Sequence, residues 1–176
     1  MCGHCCSLAR QPDDVVADTI AACAEAGVAV VSLPMCNMYL QDREPGRTPR
    51  WRGVTLLHEL AASGIDVAVA SDNCRDPFYA FGDLDMLEVF SQAVRIAHLD
   101  SDYPRWVRAV SATPASIMGL KEHGTIKVGA PADLMLFRAR SMVELLSRPQ
   151  TDRVVLRRGR RLDERPPDYR ELDAYL

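Results

Sequence analysis

The residues VAVASDNCRDPFY, 67 to 79, run apolar as far as Ala70 and then turn polar at Ser71, Asp72 and Asn73, with Arg75, Asp76, Pro77 and two aromatics behind them. A carboxylate at the mouth of a buried strand has two explanations. It can satisfy free backbone N–H groups in a turn or helix start, as Asp and Asn do, or it can act on a substrate as a base or as a metal ligand. Two further polar groups share this setting: His4 in GHCCS, and the residues Asn37 to Arg43 in CNMYLQDR, which follow the apolar run VAVVSLP. Singly, each is also explained by packing or a turn. His4 alone suits a core or terminal histidine, and Asp72 with Asn73 suits a turn as well as a site.

The elements around these groups form a repeating unit. PDDVVADTIAACAEAG places Val16, Ile20, Cys23 and Ala24 at helical spacing, with acids early and Gly27 as a stop. VAVVSLP then reads as a buried strand. TLLHELAASG, with Leu56, Leu57 and Leu60 on one face and Gly64 as its stop, leads in the same way into IDVAVAS. Helix and near-continuously apolar strand in alternation specify an α/β protein with a parallel sheet under helices. Such sheets keep their chemistry at the C-terminal ends of the strands, where His4, Asn37 to Arg43 and Asp72 to Asp76 fall.

Farther on, GDLDMLEVFSQAVRIAHL predicts a long amphipathic helix capped by Asp83 and burying Met86, Leu87, Phe90, Val94 and Ala97. TPASIMGL predicts a short helix with Thr113 as cap and Pro114 at its first position. From residue 124 the pattern changes to strand-like alternation in GTIKVGAPADLMLF and RVVLRRGRRL, with Gly124, Gly129 and Gly159 at turns. The expected organisation is an α/β part over residues 1–123, a β appendage over 124–162 and a polar tail over 163–176.

The chain of 176 residues is 48% hydrophobic and 26% charged with a net charge of −3, a globular composition with no nucleic-acid-binding signature. No apolar run approaches the roughly 20 residues that span a bilayer, and no basic leader with an apolar core opens the sequence. A cytoplasmic protein without nucleic-acid or membrane partners is the expectation. Of the six cysteines, three crowd into MCGHCCSL. No second Cys-x-x-Cys knuckle follows, which argues against structural zinc. Cys5 and Cys6, if extended, point to opposite faces and suit a tight core. Disulfides are not expected without an export signal. His58, His98 and His123 read as surface groups. Arg43, Arg47, Arg50 and Arg52 around Trp51 read as local ion pairs with Asp42 and Glu44 at a site mouth.

GHCCSLA, LPMCNMYLQDR, the run from Pro49 to Phe90, ATPASIMGL and GTIKVGAPADLMLF follow one another in the order seen in bacterial cytosine deaminases of the metal-dependent amidohydrolase superfamily. The sequence resembles that family over essentially its whole length. GAPADL is widespread across the superfamily, whereas NMYLQDR with SDNCRDPFY is particular to the cytosine deaminase branch. The resemblance implies the C-terminal part of a (β/α)8 barrel, strands 6 to 8 with their helices, followed by part of a small β-sandwich. His4 would end strand 6, Asn37 and its neighbours would follow strand 7, and Asp72 would be the metal-binding aspartate ending strand 8. The His-x-His pair that the family carries on strand 1 has no counterpart, since no His-x-His occurs here. Two or three βα units do not close a barrel of about eight strands. An N-terminal barrel portion supplied from elsewhere, or a homo-oligomer, is therefore expected to complete it.

The resemblance further implies a divalent metal, iron or zinc, that lowers the pKa of bound water to about 7. Asp72 would bind it and take the water proton, and His4 would stabilise charge at the tetrahedral centre as a nucleobase substrate loses ammonia. Phe78, where familiar members carry tryptophan, would wall the pocket. Asn73 stands where the best-known members carry aspartate and would contact the ring. The expected activity is deamination of cytosine to uracil, with the chain inactive by itself. The alternatives are an amidohydrolase acting on another cyclic amidine or aminotriazine, and a non-catalytic truncated remnant. An open-sheet phosphate-binding module would need an early Gly-rich loop, and the sequence has none.

Overall fold

The structure is a computed structural model that describes residues 1–149, 151–163 and 167–175. Two compact units divide the chain, Met1–Thr125 and Ile126–Leu176. In the first, three parallel strands form a sheet in the order β1 (Cys2–Gly3), β2 (Val30–Ser32), β3 (Val67–Val69). Cys2 lies opposite Val30, and Val30 opposite Val67. Parallel neighbours need a crossover, and here each crossover contains a helix. α1 (Asp13–Glu25) joins β1 to β2, and α2 (Pro34–Leu40) with α3 (Leu57–Ala62) joins β2 to β3. The helices α1 and α3 end just short of Gly27 and Gly64, as their sequences specify.

Apolar continuity in β2 and β3 is explained by burial: Val30, Val67, Ala68 and Val69 are all in the core. After β3 comes α4 (Met86–Ala97), which buries Leu87, Val89, Phe90, Ala93 and Val94 and packs against α2 and β3. Its cap is Asp85, whose side chain accepts from Leu87 N at 3.0 Å, and not Asp83. Asp83 instead pairs with Arg75. The sequence reading missed α5 (Tyr103–Val107), which is capped by Asp102 and seats the buried Trp106. The next helix, α6 (Ala112–Ile117), starts earlier than expected. Ser111 is its N-cap residue, so Thr113 lies inside the helix and caps nothing. His58 is exposed but also structural: its ring meets Trp106 at 5.0 Å, and its Nε2 lies 2.9 Å from the carbonyl of Ala97.

Gly124 closes this unit with φ +80°. A Cβ there would come within 2.6 Å of Ser111 O and 2.8 Å of Ala112 Cα. Gly124→Ala therefore meets both a left-handed backbone and a backbone clash, and is expected to cost about 1–3 kcal/mol. The urea midpoint of the chain measures it.

In the second unit, β4 (Leu134–Leu136), β5 (Val154–Arg157) and β6 (Arg160–Leu162) form an antiparallel sheet in chain order. The hairpin at RVVLRRGRRL turns through Arg158 (φ 49°) and Gly159 (φ 75°), a pair of left-handed residues that matches strand twist. The alternation over 124–133 does not become strand; only Leu134–Leu136 pairs. α7 (Met142–Leu146), capped by Ser141 and unforeseen in the sequence, buries Leu146. Tyr169–Tyr175 forms an exposed 3₁₀ helix. Glu164, Arg165, Pro166 and Leu176 of the expected polar tail lie outside the described residues.

Candidate active site at the C-terminal edge of the parallel sheet

The C-terminal ends of β1, β2 and β3 bring His4, Asn37 and Asp72 together. His4 N still donates to Val31 O at 3.0 Å, extending the ladder one step past β1. The chain then bends sharply, because His4 (φ 65°) and Cys5 (φ 51°) are both left-handed. Asp72 (φ 67°) makes the same kind of bend beyond β3. His and Asp are among the side chains that tolerate this region, and each such residue still costs about 1–3 kcal/mol that surrounding structure must offset. Part of that offset at His4 is visible: the buried Thr55 donates its hydroxyl to the His4 carbonyl.

These bends aim the two side chains at each other. His4 Nε2 lies 3.8 Å from Asp72 Oδ2, with the imidazole 51% and the carboxylate 24% exposed. On the other side of the ring, Asn37 Nδ2 donates to His4 Nδ1 at 2.9 Å. With Nδ1 accepting, the proton of the neutral ring sits on Nε2 and faces Asp72. Asn37 follows β2 as expected, but from α2, a helix unforeseen in the sequence: Pro34 at its first turn starts it directly after β2. Asn37 Oδ1 and Ser32 Oγ are buried without a hydrogen-bond partner among the described residues. Beneath the pair lies Cys36, fully buried. Burial pushes its thiol up to about 11, and the charge of Asp72 adds to the effect, so it stays protonated beside the carboxylate.

Asn73 and Phe78 sit in a loop that organises itself around a different carboxylate. Asp76 Oδ1 accepts from Phe78 N and Tyr79 N, each at 2.9 Å, and Asp76 Oδ2 accepts from the Asn73 amide. These donors, the Asn73 amide first, hold the Asp76 carboxyl below the usual carboxylate range. The turn explanation of SDNCRD thus applies to Asp76, while Asp72 keeps its carboxylate toward His4. Phe78 is 65% exposed. The packed rings are Tyr39, Tyr79 and Phe81, edge to face at 5.2 to 5.6 Å, with Arg43 4.5 Å over Tyr39. That cluster escaped the sequence reading because Tyr39 lies on α2, about 40 positions before Tyr79 and Phe81 in the loop after β3. In the neighbouring loop, Arg47 pairs with Asp42 at 2.6 Å and Glu44 at 2.8 Å, the local ion pairs expected of it.

The model of the amidohydrolase family matches residues 1–162. The chain belongs to the amidohydrolase family. A pterin deaminase from Rhizobium rhizogenes is 65% identical to this amidohydrolase over 174 residues, which is 99% of the chain and 40% of that protein. The 5-methylcytosine deaminase from Klebsiella pneumoniae, solved with 5-fluorocytosine, matches with a TM-score of 0.78 at 25% identity over 95% of the chain and 41% of its own. An adenosine deaminase from Xanthomonas campestris, solved with bound zinc, shares the fold at a TM-score of 0.69 and 22% identity, covering 98% of the chain and 40% of its own. The chain thus spans about two fifths of the length of these relatives. Its α/β unit is similar to part of the family's barrel, and its three parallel strands do not close one.

Superfamily members typically use a divalent metal. A catalytic metal takes three protein ligands and an open position. Among the described residues, no group of three or more His, Cys, Asp or Glu side chains is placed to hold one. Asp72 at a strand end suits a ligand, but these residues do not assemble a metal centre by themselves. No helix among the described residues is long and apolar enough to cross a membrane.

Proposed function

We propose that this chain carries the Asp72 side of a hydrolytic deaminase acting on a cyclic amidine of the pterin class, a ring carbon bearing an amino group between two ring nitrogens. The observation behind it is the facing of His4 and Asp72 at the strand ends, in a chain 65% identical to a pterin deaminase. In chain order the three parallel strands would be strands 6 to 8 of the barrel, and the antiparallel sheet part of the β-sandwich. The rest of the barrel, from a further segment or a second copy, would supply the other metal ligands. A divalent metal, iron or zinc, supplies the activated water in the complete site.

The chain's own residues do the rest. Asp72 accepts the proton released as water adds to the amidine carbon and returns it to the departing amine. His4, its Nε2–H aimed at the same spot, donates to the oxygen at the tetrahedral carbon, where new charge develops. Asn37 holds that tautomer. The products are the ring lactam and ammonia. Asn73, its amide N–H₂ engaged by Asp76, offers Oδ1 to a ring N–H, and Phe78 offers a flat wall. An N–H beside the reacting carbon is present in a 2-amino-4-oxopteridine. In cytosine the corresponding ring nitrogen has none.

Cytosine is the second reading, favoured by the match to the 5-methylcytosine deaminase. A graft separates the two. This chain replaces the matching segment of the Rhizobium pterin deaminase, and ammonia release is measured with pterin and with cytosine. The expectation is turnover of pterin with kcat/KM at least about tenfold above cytosine, and none from the 176 residues alone with any divalent metal. A graft that prefers cytosine overturns the pterin reading. Metal-dependent ammonia release by the isolated chain overturns the view that the site needs residues from outside.

A further inference from the structure

The Cys2-Gly3-His4-Cys5 turn has a second chemistry that the deaminase reading does not use. Cys2 Sγ and Cys5 Sγ lie 3.5 Å apart, a non-bonded contact across the bend that carries His4. Cys2 is exposed and Cys5 is half-buried, and both are free thiols. The approach follows from the backbone. An extended strand would separate residues 2 and 5 and point them to opposite faces. Left-handed conformations at His4 and Cys5 fold the chain back instead, closed by Cys5 N donating to Gly3 O at 3.0 Å.

We infer that Cys2 and Cys5 are a reversible redox pair, a modification site for small-molecule disulfides that closes a bridge around His4. The exchange runs in two balanced steps. In the chain by itself, where β1 is a sheet edge, Cys2 is the thiol a dissolved disulfide can reach, and it attacks one of that disulfide's sulfurs as thiolate. A mixed disulfide forms and one small thiol leaves. Cys5 then gives up its proton and attacks the Cys2 sulfur, expelling the second small thiol. The pair loses two electrons and two protons, and the oxidant becomes two thiols. Burial, the contact with Cys2 and the neighbouring thiols together push Cys5 up to about 11. Cys5 is therefore the resolving partner rather than the first attacker, and closure should quicken with rising pH.

Closure should also be felt at the site. The sulfurs must approach from contact to bonding distance, about 2.05 Å, and the two residues between them are Gly3 and His4. The His4 carbonyl accepts from Thr55, and its ring lies between Asn37 and Asp72. A bridge therefore pulls on the one residue whose ring orientation these contacts set.

The test incubates the purified 176-residue chain with excess oxidised glutathione, counts free thiols, and maps the tryptic peptide that ends at Arg10. The expected result is loss of two of the six thiols, with that peptide lighter by two hydrogens and fully restored by dithiothreitol. Cys6→Ser and Cys23→Ser should leave the bridge intact, whereas Cys5→Ser should stop at a glutathione adduct on Cys2. In urea the selectivity should vanish, with bridges shared among Cys2, Cys5 and Cys6. Six thiols surviving in buffer, a native bridge to Cys6 or Cys23, or the same mixture in buffer and urea would overturn the pair. Nitrogen NMR of His4 reads the coupling: its ring resonances should move on oxidation and return on reduction. Unmoved resonances in the bridged chain would show that the bridge does not reach the site.

Discussion

Replacing Asp72 by asparagine in the grafted pterin deaminase is expected to lower kcat by about 10²–10⁴-fold, the range for losing a general acid–base group, with little change in Tm. Asparagine is the informative replacement. It tolerates the left-handed backbone that Asp72 adopts at φ 67° nearly as well as aspartate, and it keeps an amide oxygen of the same size facing His4 Nε2. What it lacks is the negative charge and the capacity to take a proton. A purely structural Asp72 predicts near-normal turnover in the asparagine variant. Asp72→Ala should lose at least as much activity and also lose stability, because alanine at positive φ is strained by about 1–2 kcal/mol. Retention of more than about a tenth of kcat by the asparagine variant would remove Asp72 from the chemistry.

The parallel sheet was legible because its signal is periodic and redundant. VAVV (28–31) and VAVA (67–70) are unbroken apolar runs, as strands buried on both faces must be, and each is preceded by a helix ending at a glycine. The position of Asp72 at a strand end follows from the same pattern, and that of His4 from the resemblance of GHCCSLA to the family. Their pairing across 68 positions of sequence does not: it depends on strand register and on two left-handed bends, neither of which leaves a local mark. Element ends were less legible. Asp83 and Asp85 both precede α4 with the right chemistry, and the choice fell to Asp85 because Arg75 in the preceding loop claims Asp83. Likewise Thr113-Pro114 carries a start signal, yet α6 begins at Ala112. Cys5 and Cys6 were read as extended core residues; the bend at His4 and Cys5 makes them part of a turn instead. The stretch 124–133 alternates like a strand but forms no strand ladder among the described residues, so alternation alone does not make it one.

Asn73 carries the prediction that separates loop architecture from substrate reading. Its amide donates to Asp76, so Asn73→Asp places a second carboxylate against the first where a donor stood. Two carboxylates in contact cannot both ionise cheaply, and the pair's upper pKa must rise. In the parent chain the sign is the ordinary one for a depressed carboxyl. Asp76 supports the closed loop above the carboxyl's unfolded pKa, and that support is lost as pH falls through the depressed value. The substitution reverses this. A pair that holds a shared proton only when the loop is closed favours closure at lower pH, and closure weakens as pH rises through the raised pKa. The grafted variant should therefore lose kcat/KM for pterin by about tenfold or more at neutral pH, where like charges part the loop, and recover on the acid side. Because the introduced carboxylate accepts a ring N–H at least as well as the amide oxygen did, preference for pterin over cytosine should survive wherever the loop is closed. A uniform loss across pH with the pterin to cytosine ratio collapsing would assign Asn73 to substrate reading alone. An unchanged pH profile with unchanged kcat/KM would show that the Asn73–Asp76 contact neither shapes the loop nor touches the ring.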